Sequence, residues 1–395
     1  MKKETEKKFF LGLPGNIIAL GAVSFLTDAS SEMIYPILPL FLTVTLGAGP
    51  ALIGIIEGIA ESTASLLKFF SGYFSDRVRK RRPIILSGYS LSTLARPLIA
   101  LAGAWWQVLV IRFSDRVGKG IRSSPRDALI ADSVDAANYG KAYGFHRSMD
   151  HAGAVAGPIL ATLILAYITS DYRSLFLLAA IPGILSLLVI LFFVKETRID
   201  RKGSSQPLTF SLKNFDSGFK MLLASVIVFT LGNSSDAFLL LRAKEAGVPA
   251  HLIPAIWAVL HIVKTLSSTP GGVMSDRVGR KRIIIAGWLV YGLVYLGFAY
   301  ASSHLHIWIL FIIYGIYFGM TEGVEKAFVA DLVPQHLRGT AFGLYNFAIG
   351  ISALPASLLF GVIWQKAGME YAFMTGAGIA MVASVMLLGI KIKRM

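Results

Sequence analysis

The chain has no cysteine and little charge: 15% of its 395 residues are Asp, Glu, Lys or Arg. The first lack excludes a disulfide framework and any thiolate metal or redox centre. The second excludes an ordinary water-soluble domain, in which about a quarter of residues are charged. Acids are scarcer than bases, 23 against 38, for a net charge of +15. In a soluble protein that imbalance points to nucleic acid. Here the cations sit in short stretches between apolar runs, which points to a membrane surface and away from a nucleic-acid partner. A Gly-x-x-x-x-Gly-Lys-Ser/Thr loop is also missing, since Gly118-Lys119-Gly120 does not qualify, so no ATPase is indicated. No nucleophile–base–acid set stands out, and His304-x-His306 lacks further ligands. The expectation is a protein that is not an enzyme, with no cofactor and no metal site.

What is present is apolar: 55% of residues are hydrophobic and mean hydropathy is +0.64. Twelve apolar segments have the length, about 20 residues, that carries a helix across about 30 Å of hydrocarbon. They cover roughly 15–44, 51–73, 84–103, 105–125, 142–168, 174–194, 219–241, 250–273, 283–302, 306–327, 340–364 and 371–390. Helix is required because lipid cannot satisfy open backbone groups, and a barrel would show a period of two. The polar start, Met1 to Lys8, does not read as a signal peptide, so the first span is taken as retained.

The chain is duplicated. Gly72-Tyr-Phe-Ser-Asp76-Arg77-Val78, with the basic run Arg79 to Arg82, returns 200 residues later as Gly272-Val-Met-Ser-Asp276-Arg277-Val278 and Gly279-Arg-Lys-Arg282. Ala131-Asp132-Ser-Val134, followed by Gly140 and Gly144, returns 199 residues later as Ala330-Asp331-Leu-Val333, Gly339 and Gly343. The polar stretch near mid-chain is the one linker. The organisation expected is an N-terminal six-helix half (1–194), a cytoplasmic linker (195–218) and a C-terminal six-helix half (219–395). Lys2 to Lys8, both Ser-Asp-Arg-Val copies, the linker, Arg338 and Lys391 to Arg394 share one side. The positive-inside rule places that side, and both termini, in the cytoplasm.

Twelve helices in two six-helix halves, with Gly-x-x-x-Asp-Arg-x-(Gly)-Arg-Lys-Arg after helices 2 and 8, resemble the major facilitator superfamily of transporters. The resemblance covers the whole chain; the first copy departs from it at Arg79, where glycine is usual. Gly153-Ala-Val-Ala-Gly157-Pro158 on helix 5 looks like the element of the superfamily's exporters, commonly antiporters. The implied fold is all-α and polytopic, two pseudo-symmetric bundles with alternating access. The implied partners are a small-molecule substrate, protons and the bilayer, for a monomer in a bacterial inner membrane. Gly72, Asp76, Arg77, Gly272, Asp276 and Arg277 would form gating loops, each aspartate set near a helix N-terminus of the opposite half.

Ionisable residues in a span are functional candidates because burying them costs at least about 2.5–3.5 kcal/mol. Helix 1 carries Asp28 and Glu32 on one face, echoed on helix 7 by Asp236; with His261 these are the candidates for proton coupling. Helix 2 carries Glu57 and Glu61, helix 8 Lys264, and helix 11 Tyr345 and Asn346. Helix 4 is the densest, with Arg112, Arg116, Lys119 and Arg126 on one stripe. The resemblance makes Arg112 a proton-coupling position. Arg112 and Arg116, with Arg96 and Arg147, suit carboxylates or phosphates. The substrate expected is anionic, such as a polycarboxylate or metal chelate; some relatives are associated with citrate or siderophore export. The alternatives are a polyspecific drug efflux pump and, from another class, a membrane receptor or integral-membrane enzyme.

Overall fold

The structure, a computed structural model, describes residues 13–78, 80–134, 139–196, 212, 215–333 and 337–390; the side chains of residues 69, 72–78, 139–141, 338 and 339 lie outside that description. Among the described residues there are twelve long helical segments and no strand. They are α1 (Gly15–Thr45), α2 (Pro50–Val78), α3 (Arg81–Leu101), α4 (Trp105–Asp132), α5 (Tyr139–Tyr167), α6 (Tyr172–Phe193), α7 (Ser217–Glu245), α8 (Ala250–Val278), α9 (Arg280–Tyr300), α10 (His304–Asp331), α11 (Arg338–Ala367) and α12 (Met369–Leu388). Eleven are long and apolar enough to cross a membrane; α4 is too charged to count by composition. The chain is a multi-pass membrane protein.

Two helices are interrupted. In α1 the regular helix stops at Ile34 and resumes at Leu38, then ends as a π-turn. Pro36 has no N–H to donate to the carbonyl four residues back, and its ring crowds that carbonyl. In α7 the helix stops at Gly232 and resumes at Ala237. The gap holds Asn233, Ser234, Ser235 and Asp236, side chains that compete with the helical ladder; the Ser235 hydroxyl accepts the Ala237 N–H at 3.3 Å. The segment 219–241 was expected to be continuous. The two gaps lie about 200 residues apart, so the duplication extends to backbone shape. Discontinuous membrane helices free backbone groups and mark binding sites.

A second correction concerns the repeated motif. Both copies, expected as loops, are helical through Val78 and Val278, in the last turns of α2 and α8. In the second copy only Gly279, at φ 105°, separates α8 from α9. That left-handed backbone is a conformation glycine adopts without the Cβ penalty.

Contacts divide the chain into two compact units, Met1–Tyr35 with Leu67–Gln206, and Pro36–Leu66 with Pro207–Met395. In the first, α5 lies on α1 so closely that a Cβ at Gly153 or Gly157 would collide with the backbone carbonyl of Phe25 or Ala29. Small residues let membrane helices approach to backbone distance, where dispersion replaces the absent hydrophobic drive. In the second, the first half of α2 meets α11 the same way. Gly58 abuts Leu354, and the Ser62 hydroxyl accepts the Leu354 N–H at 3.1 Å.

Helix ends are capped by distant groups. Both carboxylate oxygens of Glu196 accept backbone N–H groups at the start of α3, from Arg81 at 3.0 Å and Arg82 at 2.8 Å. Arg173 donates to the Ala100 carbonyl at the end of α3, and Arg242 to Phe298 and Ala301 at the end of α9. The carbonyls that a helix leaves unpaired at its C-terminus are thus met by cations, which the helix dipole also favours.

Candidate functional site

In the first unit, α1, α3 and α4 bring charges together in the interior. Asp115 is 4% exposed, and its Oδ1 lies 3.0 Å from Arg96 Nε. Arg96 uses Nη1 to reach the Thr27 carbonyl at 3.1 Å, beside the Asp28 position. Arg112, 6% exposed, stands 3.8 Å from Asp115 Oδ2 and 5.6 Å over the Tyr35 ring. Arg122 donates to the Ser92 hydroxyl at 2.6 Å and lies 4.3 Å over the Tyr89 ring. Arg116 is buried too, and its charge acts on Asp115 with those of Arg96, Arg112 and Arg122. Four buried arginines on two helices surround one carboxylate. The close pack of α3 on α4 that makes this possible runs through Gly118, where a Cβ would strike Ser92.

Asp28 and Glu32 are half-buried on α1. The charges of Asp150, Lys119, Glu32 and Arg122 all act on Asp28. Asp150, on α5, hydrogen-bonds the Ser24 hydroxyl and sits 3.4 Å from Arg147 and 3.7 Å from His146 Nδ1. His146 is buried, and its Nε2 has no hydrogen-bond partner. Asp150 and His146 are not among the candidates that the sequence offers; the cue is an acid inside the 142–168 span, masked by the basic residues around it at that end of α5.

The second unit carries a separate polar set inside an aromatic core. Asp236, in the α7 gap, accepts the Tyr314 hydroxyl at 2.7 Å. Tyr314 packs on Phe318, whose ring lies 4.3 Å under Lys264 Nζ. Lys264 pairs with Glu322 at 2.8 Å. Tyr345 donates to Glu325 at 2.6 Å, and Trp288 Nε1 to its other oxygen at 2.9 Å. Tyr291, Tyr295, Tyr314 and Tyr317 are buried against one another and against Phe229, as packing rather than a lipid belt.

The remaining candidates are dispersed. Glu57 is buried and Glu61 half-buried on α2. His261 is half-buried, edge-on to Trp257 at 5.1 Å. Asn346 is exposed and donates to the Phe342 carbonyl of its own helix at 2.9 Å. Asp276 is exposed, 3.5 Å from Arg280, and Arg277 is exposed. A Cβ at Gly272 would meet nothing. Gly72, Asp76 and Arg77 are helical, but their side chains lie outside the described residues. Among the described residues no three His, Asp or Glu side chains could hold a metal ion.

The sequence profile of the Major Facilitator Superfamily matches residues 20–263 and 221–394, nearly the whole of the twelve-helix chain. The chain belongs to the Major Facilitator Superfamily. It is a membrane transporter of that superfamily. It is similar to an uncharacterised MFS-type transporter of Methanocaldococcus jannaschii, 38% identical over 95% of each chain. It is also similar to the multi-drug resistance efflux pump PmrA of Streptococcus pneumoniae, 24% identical over 83% of this chain and 84% of that one. The multidrug resistance protein MdtG of Escherichia coli is 23% identical over 94% and 93%. Among solved structures, the nucleoside transporter NupG has the same superfamily fold, with TM-score 0.83 at 14% identity over 95% of this chain and 99% of that one.

Proposed function

We propose that this transporter is a proton-coupled exporter, an antiporter, of a small anionic molecule such as a polycarboxylate or its metal chelate. The observation that carries the reading is the buried surplus of arginine on α3 and α4 beside the half-buried acids of α1. Arg112 and Arg116 would bind the anion by charge-assisted, fork-shaped hydrogen bonds. Asp28 or Glu32 would release its proton on one side as substrate binds and take one up on the other as it leaves. A group in partial burial, near both acids and cations, is suited to such exchange. The cycle is alternating access between the two sequence halves (1–194 and 219–395), with Asp76 and Asp276 as latches at a cytoplasmic face.

The test is transport in proteoliposomes under an imposed pH gradient. Asp28→Asn, Glu32→Gln and the double variant should lose gradient-driven accumulation while keeping exchange of substrate for substrate. Undiminished gradient-driven transport in all three defeats the coupling role.

A second reading, polyspecific drug export, draws on the names of PmrA and MdtG and on the aromatic core of the second unit. A thermal-shift screen of anions against lipophilic cations separates the two. Stabilisation by the cations alone favours the second.

A further inference from the structure

His146 and Asp150 lie one turn apart on α5 and both turn inward. They are 4% and 8% exposed, whereas the side chain of Arg147, next to His146, is 61% exposed. Gly21 meets Phe145, Gly153 the Phe25 carbonyl and Gly157 that of Ala29, so α1 and α5 run parallel and in contact. That contact holds Asp150 against α1, where its Oδ1 accepts the Ser24 hydroxyl. Asp28 follows Ser24 by four residues, so both project from one face of α1. The charge of Asp150 acts on Asp28, as do those of Lys119, Glu32 and Arg122. On its other side the same Oδ1 lies 3.7 Å from His146 Nδ1, and Arg147 stands 3.4 Å from Oδ2. Arg126 and Asp127 of α4, paired at 2.9 Å, complete the charges that act on His146. Yet His146 Nε2 is buried and has no hydrogen-bond partner among the described residues. Leaving a buried nitrogen unpaired is costly, and a site that does so needs a use for it.

We propose that His146 and Asp150 form a proton port, which connects Asp28 through Ser24 with the face that the positive-inside rule places in the cytoplasm. This rests on the reading above that Asp28 exchanges a proton, and adds the route. On α1 the step from Asp28 to Ser24, and on α5 the step from Asp150 to His146, both run toward the N-terminal end of the helix. In the releasing direction Asp28 gives its proton to the Ser24 oxygen while the Ser24 hydroxyl gives its own to Asp150 Oδ1. Asp150 passes that proton to His146 Nδ1, and the imidazolium loses the one on Nε2. One proton enters the chain and one leaves, and only O–H and N–H bonds change. A half-turn of the ring restores the starting tautomer. Imidazole suits the task because each of its nitrogens both accepts and donates. The 3.7 Å contact is longer than a hydrogen bond. Charge on the ring draws it onto the carboxylate, so the link closes when there is a proton to move.

The test follows Asp28 itself and needs no substrate. Full-length protein in detergent is taken from mildly alkaline to mildly acidic pH by rapid mixing. Infrared difference spectra record the carboxylic-acid band that Asp28→Asn removes. His146→Ala should slow the appearance of that band by about a hundredfold, within the range that a positioned acid–base group contributes. Its final size should hardly change, because a port alters rate and not equilibrium. Free imidazole should restore the rate. Pyrrole, with the same shape and no basic nitrogen, should not. Ser24→Ala and Asp150→Asn should slow the band as well; if Asp150→Asn does not fold, His146→Ala and Ser24→Ala carry the test. An unslowed band in the folded variants, or equal rescue by pyrrole, overturns the port and leaves proton exchange at Asp28 standing. A wild-type protein with no Asp28 band at either pH overturns the part of Asp28 in coupling, and the port with it.

Discussion

Arg280 closes an ion pair with Asp331, Nε to Oδ2 at 2.5 Å, tying the first residue of α9 to the last of α10. The same pair exists 199 residues earlier, where Arg81 Nε meets Asp132 Oδ2 at 3.0 Å, first residue of α3 to last of α4. The duplication thus reaches single contacts, yet the two settings differ. The Arg81 and Asp132 side chains are 8% and 15% exposed; those of Arg280 and Asp331 are 28% and 49%. Removing one partner of a buried pair costs about 3–5 kcal/mol, whereas an exposed pair contributes about 1 kcal/mol or less. Asp132→Asn should lower the melting temperature in detergent markedly, and Asp331→Asn only slightly. Equal losses would show that the second pair is as well shielded as the first.

The α1–α5 contact predicts an asymmetry among glycines of one helix. A side chain at Gly157 must displace the Ala29 carbonyl, whereas one at Gly144 meets open space. Gly157→Val should destabilise by about 1–3 kcal/mol through overpacking. Gly144→Ala should be neutral or stabilise by roughly 0.5–1 kcal/mol, because alanine loses less backbone entropy in a helix. Thermal unfolding of the two variants, followed by light scattering, decides it.

Glu325 is held by two neutral donors, Trp288 and Tyr345. Glu325→Ala leaves both donors unpaired in the interior, at about 1–3 kcal/mol each. Glu325→Gln keeps an acceptor and should lose much less. Trp288 reports the change directly: the fluorescence difference between each variant and its Trp288→Phe counterpart should shift for alanine and hardly move for glutamine. A spectrum indifferent to both replacements contradicts the hydrogen bond.

Asp171 caps α6, accepting the N–H groups of Arg173 at 3.2 Å and Ser174 at 2.9 Å and the Ser174 hydroxyl at 2.8 Å. The Ser174 hydroxyl, then the backbone bonds, hold its carboxyl below the usual carboxylate range. A depressed carboxylate stabilises the fold above its unfolded pKa, about 3.9, and loses that contribution as pH falls through the folded value. Asp171→Ala should therefore cost about 1 kcal/mol at neutral pH, the usual worth of an N-cap. The gap to wild type should close in acid. A gap that widens on acidification reverses the sign and refutes the cap.

Much of the architecture was legible because it is one-dimensional. Segment length marks the spans, the 200-residue echo marks the halves, and helical spacing places Arg112, Arg116 and Lys119 on one stripe. Composition could even tell that α4 is unlike the rest. None of this says which charge meets which. Arg96 and Asp115 are 19 residues apart on different helices, and Ser24 and Asp150 are separated by 126; only packing selects those partners. The gap in α1 was announced by Pro36, but that in α7 has no proline and depends on local side-chain bonds. Sequence alone determined that this is a twelve-helix duplicated membrane protein with costly charges in its spans, since hydrophobic length and repeat are properties of the chain. Tertiary structure decided that Asp115 neutralises Arg96, that Glu325 lies between two neutral donors and that the motif helices run unbroken to Val78 and Val278. Those outcomes depend on how closely helices approach, and that distance is set by glycines whose neighbours lie far away in the chain.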